Sequence, residues 1–159
     1  MKINFVKTSS RAKKPTQGKP HDAAYDLYSI EDVTLAPGER RAVRTGIQME
    51  IPNGYHGRIL PKSGLARDKG LDVMAGVIDA GFRDEILVVL INLDIRSHLQ
   101  LEMFHQNEDA FMPKRGYMIK SGQKIAQIRI SKQEDVEWVE TNKLSISERN
   151  LGGFGHTGS

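Results

Sequence analysis

"VTLAPGERRAVRTGIQMEI", Val33 to Ile51, decides the fold. It is rich in β-branched and aliphatic residues, and parts of it alternate apolar with polar, the period of a half-buried strand. Pro37-Gly38 interrupts it with a turn signal. The same texture extends outward, to "KINFVK" on one side and to "GRILP", "EILVVLINL", "KIAQIRI" and "VEWVE" on the other. Pro52-Asn53-Gly54, Ala80-Gly81 and Ser121-Gly122 mark further turns. Many short strands at close spacing predict an all-β, jelly-roll-like barrel. One short helix is expected at "SGLARDKG", with Ser63 as its cap and Gly70 as its end.

The chain has 159 residues, which suits one domain able to fold without metal or disulfide staples. It has no cysteine, which excludes a disulfide framework and thiolate metal sites and fits a reducing, cytoplasmic setting. No apolar run approaches a membrane span, and the first residues lack the apolar stretch of a secretory signal. The formal net charge is +3, with Lys7, Arg11, Lys13, Lys14 and Lys19 early in the chain. No aromatic residues interleave with them as stacking platforms would, so a solvated basic stretch is expected rather than a stable nucleic-acid surface. Mild basicity also suits a small polyanion.

Two regions depart from the strand pattern. Residues 94–121 form a long excursion inside the barrel domain, which is expected to span 1–144. The end, 145–159, carries four glycines among its last eight residues and has little with which to build a core. Glycine makes ordering costly, so this arm is expected to be flexible until something holds it.

Several pieces can carry chemistry. "RILPKSGLA" runs a strand into Lys62, Ser63 and Gly64 at a helix start, where free N–H groups, a hydroxyl and a cation suit an anion; a plain helix cap is the other reading. In "AGVIDAGFRDEI" an apolar run ends at Asp79 beside the Gly81 turn. That carboxylate is either a general base or a turn hydrogen-bonder. Gly76 either admits a flat ligand to its backbone or marks a bulge. Asp26, inside "AAYDLYS", must be paired, hydrogen-bonded or near a cation. Gln127 lies on the otherwise apolar "GQKIAQIRI" and is either functional or a partner for neighbouring backbone. The five histidines show no ligand spacing. In the tail, Arg149 offers a fork for phosphate, Phe154 a ring for a base, and Gly155, His156 and Thr157 further donors.

"AAYDLYS", "GRILPKSGLA", "AGVIDAGF", "GQKIAQI" and "RNLGGFGHTG", in that order and across nearly the whole chain, resemble the five motifs of the trimeric dUTPases. The resemblance implies a homotrimer with sites at subunit interfaces, Mg²⁺ as cofactor, and hydrolysis of dUTP to dUMP and pyrophosphate. Asp79 matches the carboxylate that activates the attacking water. Gly76, Val77 and Ile78 match the segment that reads uracil, and Phe82 stands where a ring packs on deoxyribose. Lys62, Ser63, Gly64 and Gln127 match the phosphate side; Arg149, His156 and Thr157 match the arm's phosphate contacts. Phe154 and Gly155 match its cover over the base, and Asp26 matches the carboxylate that meets the metal through water. Lys62 replaces the usual arginine, His156 a serine or threonine, Asp84 a glycine and Ala23 a glycine. The excursion is about 20 residues longer than in compact relatives and resembles in position an extra segment of some phage members. It is either a docking surface for a regulatory protein or a surface elaboration. A regulatory module of the same fold and a dCTP deaminase relative are the alternative functions.

Overall fold

The computed structural model describes residues 1–94 and 116–147. Among these residues eleven strands and one helix follow one another: β1 (Asn4–Lys7), β2 (Tyr25–Tyr28), β3 (Val33–Leu35), β4 (Arg40–Arg44), β5 (Ile47–Glu50), β6 (Tyr55–Leu60), α1 (Ser63–Lys69), β7 (Leu71–Val73), β8 (Val77–Ile78), β9 (Leu87–Asn92), β10 (Tyr117–Ile119) and β11 (Lys124–Lys132). Every strand pair is antiparallel. The four sheets run β1-β5, β10-β3, β2-β11-β6-β8 and β4-β9-β7. Leu27, Leu35, Val43, Ile59, Val88 and Ile125 come from different strands and all sides of this arrangement, yet belong to one buried cluster. The sheets therefore wrap a single core, the expected all-β, jelly-roll-like form.

The expected turns form, and three of the four use glycine in the same way. Glu39 N–H bonds Ala36 O, Tyr55 N–H bonds Pro52 O, and Gln123 N–H bonds Lys120 O. The third residue of each turn is Gly38, Gly54 or Gly122, at φ of 77°, 78° and 82°. A side chain there would be strained, which is why a glycine follows proline, asparagine or serine. The fourth turn, Asp79 to Phe82, closes through Phe82 N–H to Asp79 O without a left-handed Gly81.

β9 shows the strand rule most clearly. Val88, Leu90 and Asn92 point inward, alternating with more exposed neighbours. Asn92 is 3% exposed but satisfied: its amide donates to Leu35 O, and its side-chain oxygen accepts from Asp94 N–H.

Two expectations need correction. Helix α1 begins one residue earlier in its capping than expected: Lys62 is the cap, no side chain bonds the first turn, and Ser63 is already helical. Gly70 does end the helix, in the left-handed conformation. "VEWVE" forms no strand. After β11 residues 133–147 have neither strand nor helix, and Val136, Trp138 and Val139 are 63%, 92% and 70% exposed. Their composition favours a strand, but among the described residues no strand pairs with them. Among the described residues no helix is long and apolar enough to cross a membrane. The greater part of the 94–121 excursion, and the arm beyond Ser147, lie outside the described residues.

Candidate active site

Strand β11 brings three separated pieces of sequence together. Its Gln127 faces Asp26 on β2 and Leu60 on β6. Just past Leu60 the chain leaves the sheet through Pro61 and reaches Lys62. The result is a polar cluster on the face of β2 opposite to Leu27, which enters the core.

Asp26 is its centre, 3% exposed. One carboxylate oxygen, Oδ1, accepts from Lys62 Nζ and Gln127 Nε2, each at 3.3 Å. The other, Oδ2, takes Lys124 Nζ at 2.6 Å. Burial by itself would raise the Asp26 carboxyl. The bond from Lys124, then Gln127 and the charge of Lys62, outweigh it and hold the group below the usual carboxylate range. Lys124 is raised in turn by its bond and charge pairing with Asp26. The expectation that a carboxylate inside "AAYDLYS" must be paired is met, with Lys62 and Gln127 as two of its partners.

Lys124 was not among the residues singled out from the sequence. Positions 124 and 127 have opposite parity and would face opposite sides of a regular strand. The register between β11 and β2 shifts between Lys124 and Ala126, an irregularity that places both residues on the Asp26 side. The quoted motif contained the lysine, but nothing in the local pattern announced the shift.

At the start of α1, Ser63 and Gly64 are exposed, and a Cβ on Gly64 would meet nothing within 4 Å. The first intrahelical bond runs from Ala66 N–H to Lys62 O. The amides of Ser63, Gly64 and Leu65 precede it, where helix geometry leaves donors without intrahelical acceptors. They open beside Lys62, and so beside the Asp26 cluster.

Asp79 lies elsewhere. β8 is the edge strand beside β6, with Ile78 opposite Gly57 and Val77 opposite Arg58. Alternation turns Ile78 toward the core and leaves Val77 and Asp79 exposed. The apolar run before Asp79 is thus not a buried strand in this chain. Gly76 has a packing reason to be glycine: its carbonyl accepts from Ile59 N–H at 2.7 Å, and a Cβ would meet Ile59 O at 3.0 Å. The turn after Asp79 braces itself. Arg83 donates to Ala80 O and Phe82 O, Asp84 accepts from Glu85 N–H, and Phe82 remains 40% exposed.

The two clusters face different ways along β6. The pairing is antiparallel, so Asp79 continues away from Lys62. From Gly57, opposite Ile78, to Lys62 is five residues, about 16 Å at ~3.3 Å per residue. Within one chain Asp79 does not meet Asp26, Lys62 or Gln127. Arg149, Phe154, Gly155, His156 and Thr157 lie outside the described residues. A groove of about 580 Å³ lined by Phe5, Tyr25, Met49 and Ile128 opens on the other face of β2 and β11 and touches neither cluster.

Comparison with known proteins places this arrangement. The dUTPase family model matches residues 10–103. Over 146 residues the chain is 42% identical to the deoxyuridine 5'-triphosphate nucleotidohydrolase of Thermobifida fusca (strain YX), covering 91% of this chain and 72% of that protein. Among solved structures, a variant of the Staphylococcus bacteriophage 80alpha dUTPase with dUpNHpp superposes with a TM-score of 0.81 at 26% identity, covering 99% of each chain. A variant dUTPase from phage phi11 of S. aureus, described with a structural Mg(II) ion, gives 0.76 at 27% identity over 90% of this chain and 98% of that one.

Proposed function

Because this chain belongs to the dUTPase family, we propose that it hydrolyses dUTP to dUMP and pyrophosphate in sites that two or more copies build together. The observation that carries the shared site is the separation along β6. Asp79, the base, and the polyanion cluster at Asp26, Lys62 and Gln127 are too far apart in one chain to act on one phosphorus. A second copy that presents its Asp79 edge to the first copy's cluster completes the set. Three such head-to-tail contacts whose rotation closes on itself make the homotrimer.

The division of labour follows from the chemistry of each part. Lys62 and the free amides at the start of α1, with the Ser63 hydroxyl and Gln127, bind and orient the triphosphate. Gly64 has no side chain to obstruct that approach. Asp79, exposed at the end of an edge strand, holds the attacking water and takes its proton as the water adds to the α-phosphorus; pyrophosphate leaves. Gly76 turns its carbonyl to Ile59, so alternation leaves the backbone groups of Val77, flanked by Gly76 and Ile78, on the outer edge of β8, suited to the polar rim of uracil. Phe82 offers a ring face to the deoxyribose. Arg149, His156 and Thr157 would add phosphate contacts, and Phe154 and Gly155 would cover the base from the arm.

Magnesium fits this donor set in one way only. Among the described residues no three His, Cys, Asp or Glu side chains form a metal cage. A single buried carboxylate, Asp26, stands beside the phosphate cluster. That suits a hard cation carried by the triphosphate, which Asp26 would hold through water rather than directly. When bound, it offsets phosphate charge as the water attacks. A regulatory role through 94–121 rests mainly on residues outside those described, and nothing in the described clusters favours it or a dCTP deaminase over the hydrolase.

The test is release of pyrophosphate from dUTP with Mg²⁺, run beside dCTP, dTTP and UTP. Preferential turnover of dUTP is expected. Equal turnover of dTTP, or ammonia release from dCTP, would overturn the reading.

A further inference from the structure

Asp26 has two unequal oxygens. Oδ1 is shared by Lys62 and Gln127 at 3.3 Å each, whereas Oδ2 has Lys124 alone at 2.6 Å. The Lys124 side chain is 41% exposed, so its ammonium can leave into water without a burial cost. The Tyr28 ring lies beside it, with its centroid 6.0 Å from Lys124 Nζ and 5.3 Å from Lys13 Nζ. A buried carboxylate needs a counter-charge when no other cation is present. Lys124 supplies it at the oxygen that has no other partner among the described residues.

We propose that Lys124 is a positioning residue that stands in for the metal: its ammonium holds Asp26 Oδ2 in the nucleotide-free protein and yields that oxygen when the magnesium–triphosphate arrives. The proposal rests on the reading that Asp26 meets the metal through water. It adds a specific consequence, that a protein side chain competes with the hydrated cation for one oxygen. Lys62 is the weaker candidate because its contact is longer and shares its acceptor with Gln127.

The experiment measures the affinity of full-length protein for dUpNHpp by calorimetry, once with saturating Mg²⁺ and once in EDTA. The ratio of the two affinities reports how strongly metal and nucleotide support one another. The metal-free nucleotide is the more negative ligand, so Lys13→Ala, which removes a cation over the same Tyr28 ring, measures the rise that lost charge alone produces, and a rise there equal to that of Lys124→Ala would overturn the proposal. Lys124→Ala is expected to raise the ratio roughly two- to five-fold, the range an ion pair with a half-exposed partner supports. Lys124→Arg keeps the charge and is expected to stay at the wild-type ratio. Lys124→Gln gives a second reading of the neutral state should the alanine variant fold poorly. Asp26→Asn is expected to lower the ratio.

A lysine that merely stabilised the fold would shift the melting temperature and leave the ratio alone. An unchanged or lower ratio in both neutral variants, with Asp26→Asn lowering it, would overturn the role of Lys124 and spare the Asp26 reading. A rise in Lys124→Arg equal to that in Lys124→Ala would overturn it as well. An Asp26→Asn variant with the wild-type ratio would sink the Asp26 reading itself, and this proposal with it.

Discussion

Glu85→Gln tests whether the turn that carries Asp79 is anchored as the contacts indicate. Glu85 sits just after that turn with its side chain 13% exposed. Its carboxylate accepts from Gly46 N–H at 2.8 Å and from Arg44 at 2.8 and 3.3 Å. Gly46 is itself constrained: φ is 67°, and a Cβ there would lie 2.8 Å from Ala12 Cβ. The carboxylate thus pins the Asp79 turn to a tight corner between β4 and β5. Arg44 is half exposed, so its ion pair contributes at most about 1 kcal/mol. The charged bond from Gly46 N–H adds about 1.5 kcal/mol. Glutamine keeps one acceptor but sets an NH₂ against a second donor, so a net loss of about 1–2 kcal/mol is expected at pH 7. For a chain of this length that lowers Tm by about 2–8 °C.

The sign with pH is fixed by the same contacts. Burial raises the Glu85 carboxyl, and the bonds from Arg44 and Gly46 more than reverse this, so it lies below its ordinary 4.5. A lowered carboxyl stabilises the fold fully above its unfolded value, and the contribution fades as pH falls through the folded one. Calorimetry of both proteins from pH 7 down to about 3.5 should show the gap constant at first and closing below about 4.5. A gap that persists unchanged in acid, or widens there, would refute the reasoning.

Asp79→Asn should lower pyrophosphate release about 10²- to 10⁴-fold, the usual contribution of a positioned base. Its affinity for dUpNHpp should stay within a few-fold of wild type by calorimetry; wild-type turnover would remove Asp79 from its role. Gly76→Ala places a Cβ 3.0 Å from Ile59 O, against backbone on the neighbouring strand. It should cost about 1–3 kcal/mol by forcing the short β6–β8 pairing apart, and turnover should fall with it. A wild-type Tm would show that the strands yield without cost.

The strands and turns were legible because their rules are local. Alternation in β9 and a glycine third in each of three turns need only a few neighbouring residues. Asp26 was legible too, since a carboxylate in an apolar stretch has to find partners. What was not legible depended on distant chain. The irregularity that turns Lys124 toward Asp26 is a property of how β11 meets β2. The cap of α1 fell to Lys62 because the path out of β6 through Pro61 sets where helical geometry begins, whereas a Ser-Gly pair reads locally as a cap. "VEWVE" has strand composition, but a strand also needs a partner, and among the described residues none pairs with it. The exposure of Asp79 also depends on distant chain: "AGVID" reads locally as an apolar run, whereas β8 is a two-residue strand at the edge of its sheet, with one face open.

The claim that two chains complete each site can be tested by mixing two impaired proteins. One carries Asp79→Asn; the other carries Lys62→Ala together with Gln127→Ala. Unfolded together and refolded as a 1:1 mixture, random assembly gives about a quarter of the sites an intact Asp79 from one chain and an intact polyanion cluster from its neighbour. The account predicts pyrophosphate release from dUTP near a quarter of wild type, well above the sum of the two variants refolded alone. Release no greater than that sum, with mixed oligomers demonstrated in the same sample, would contradict it.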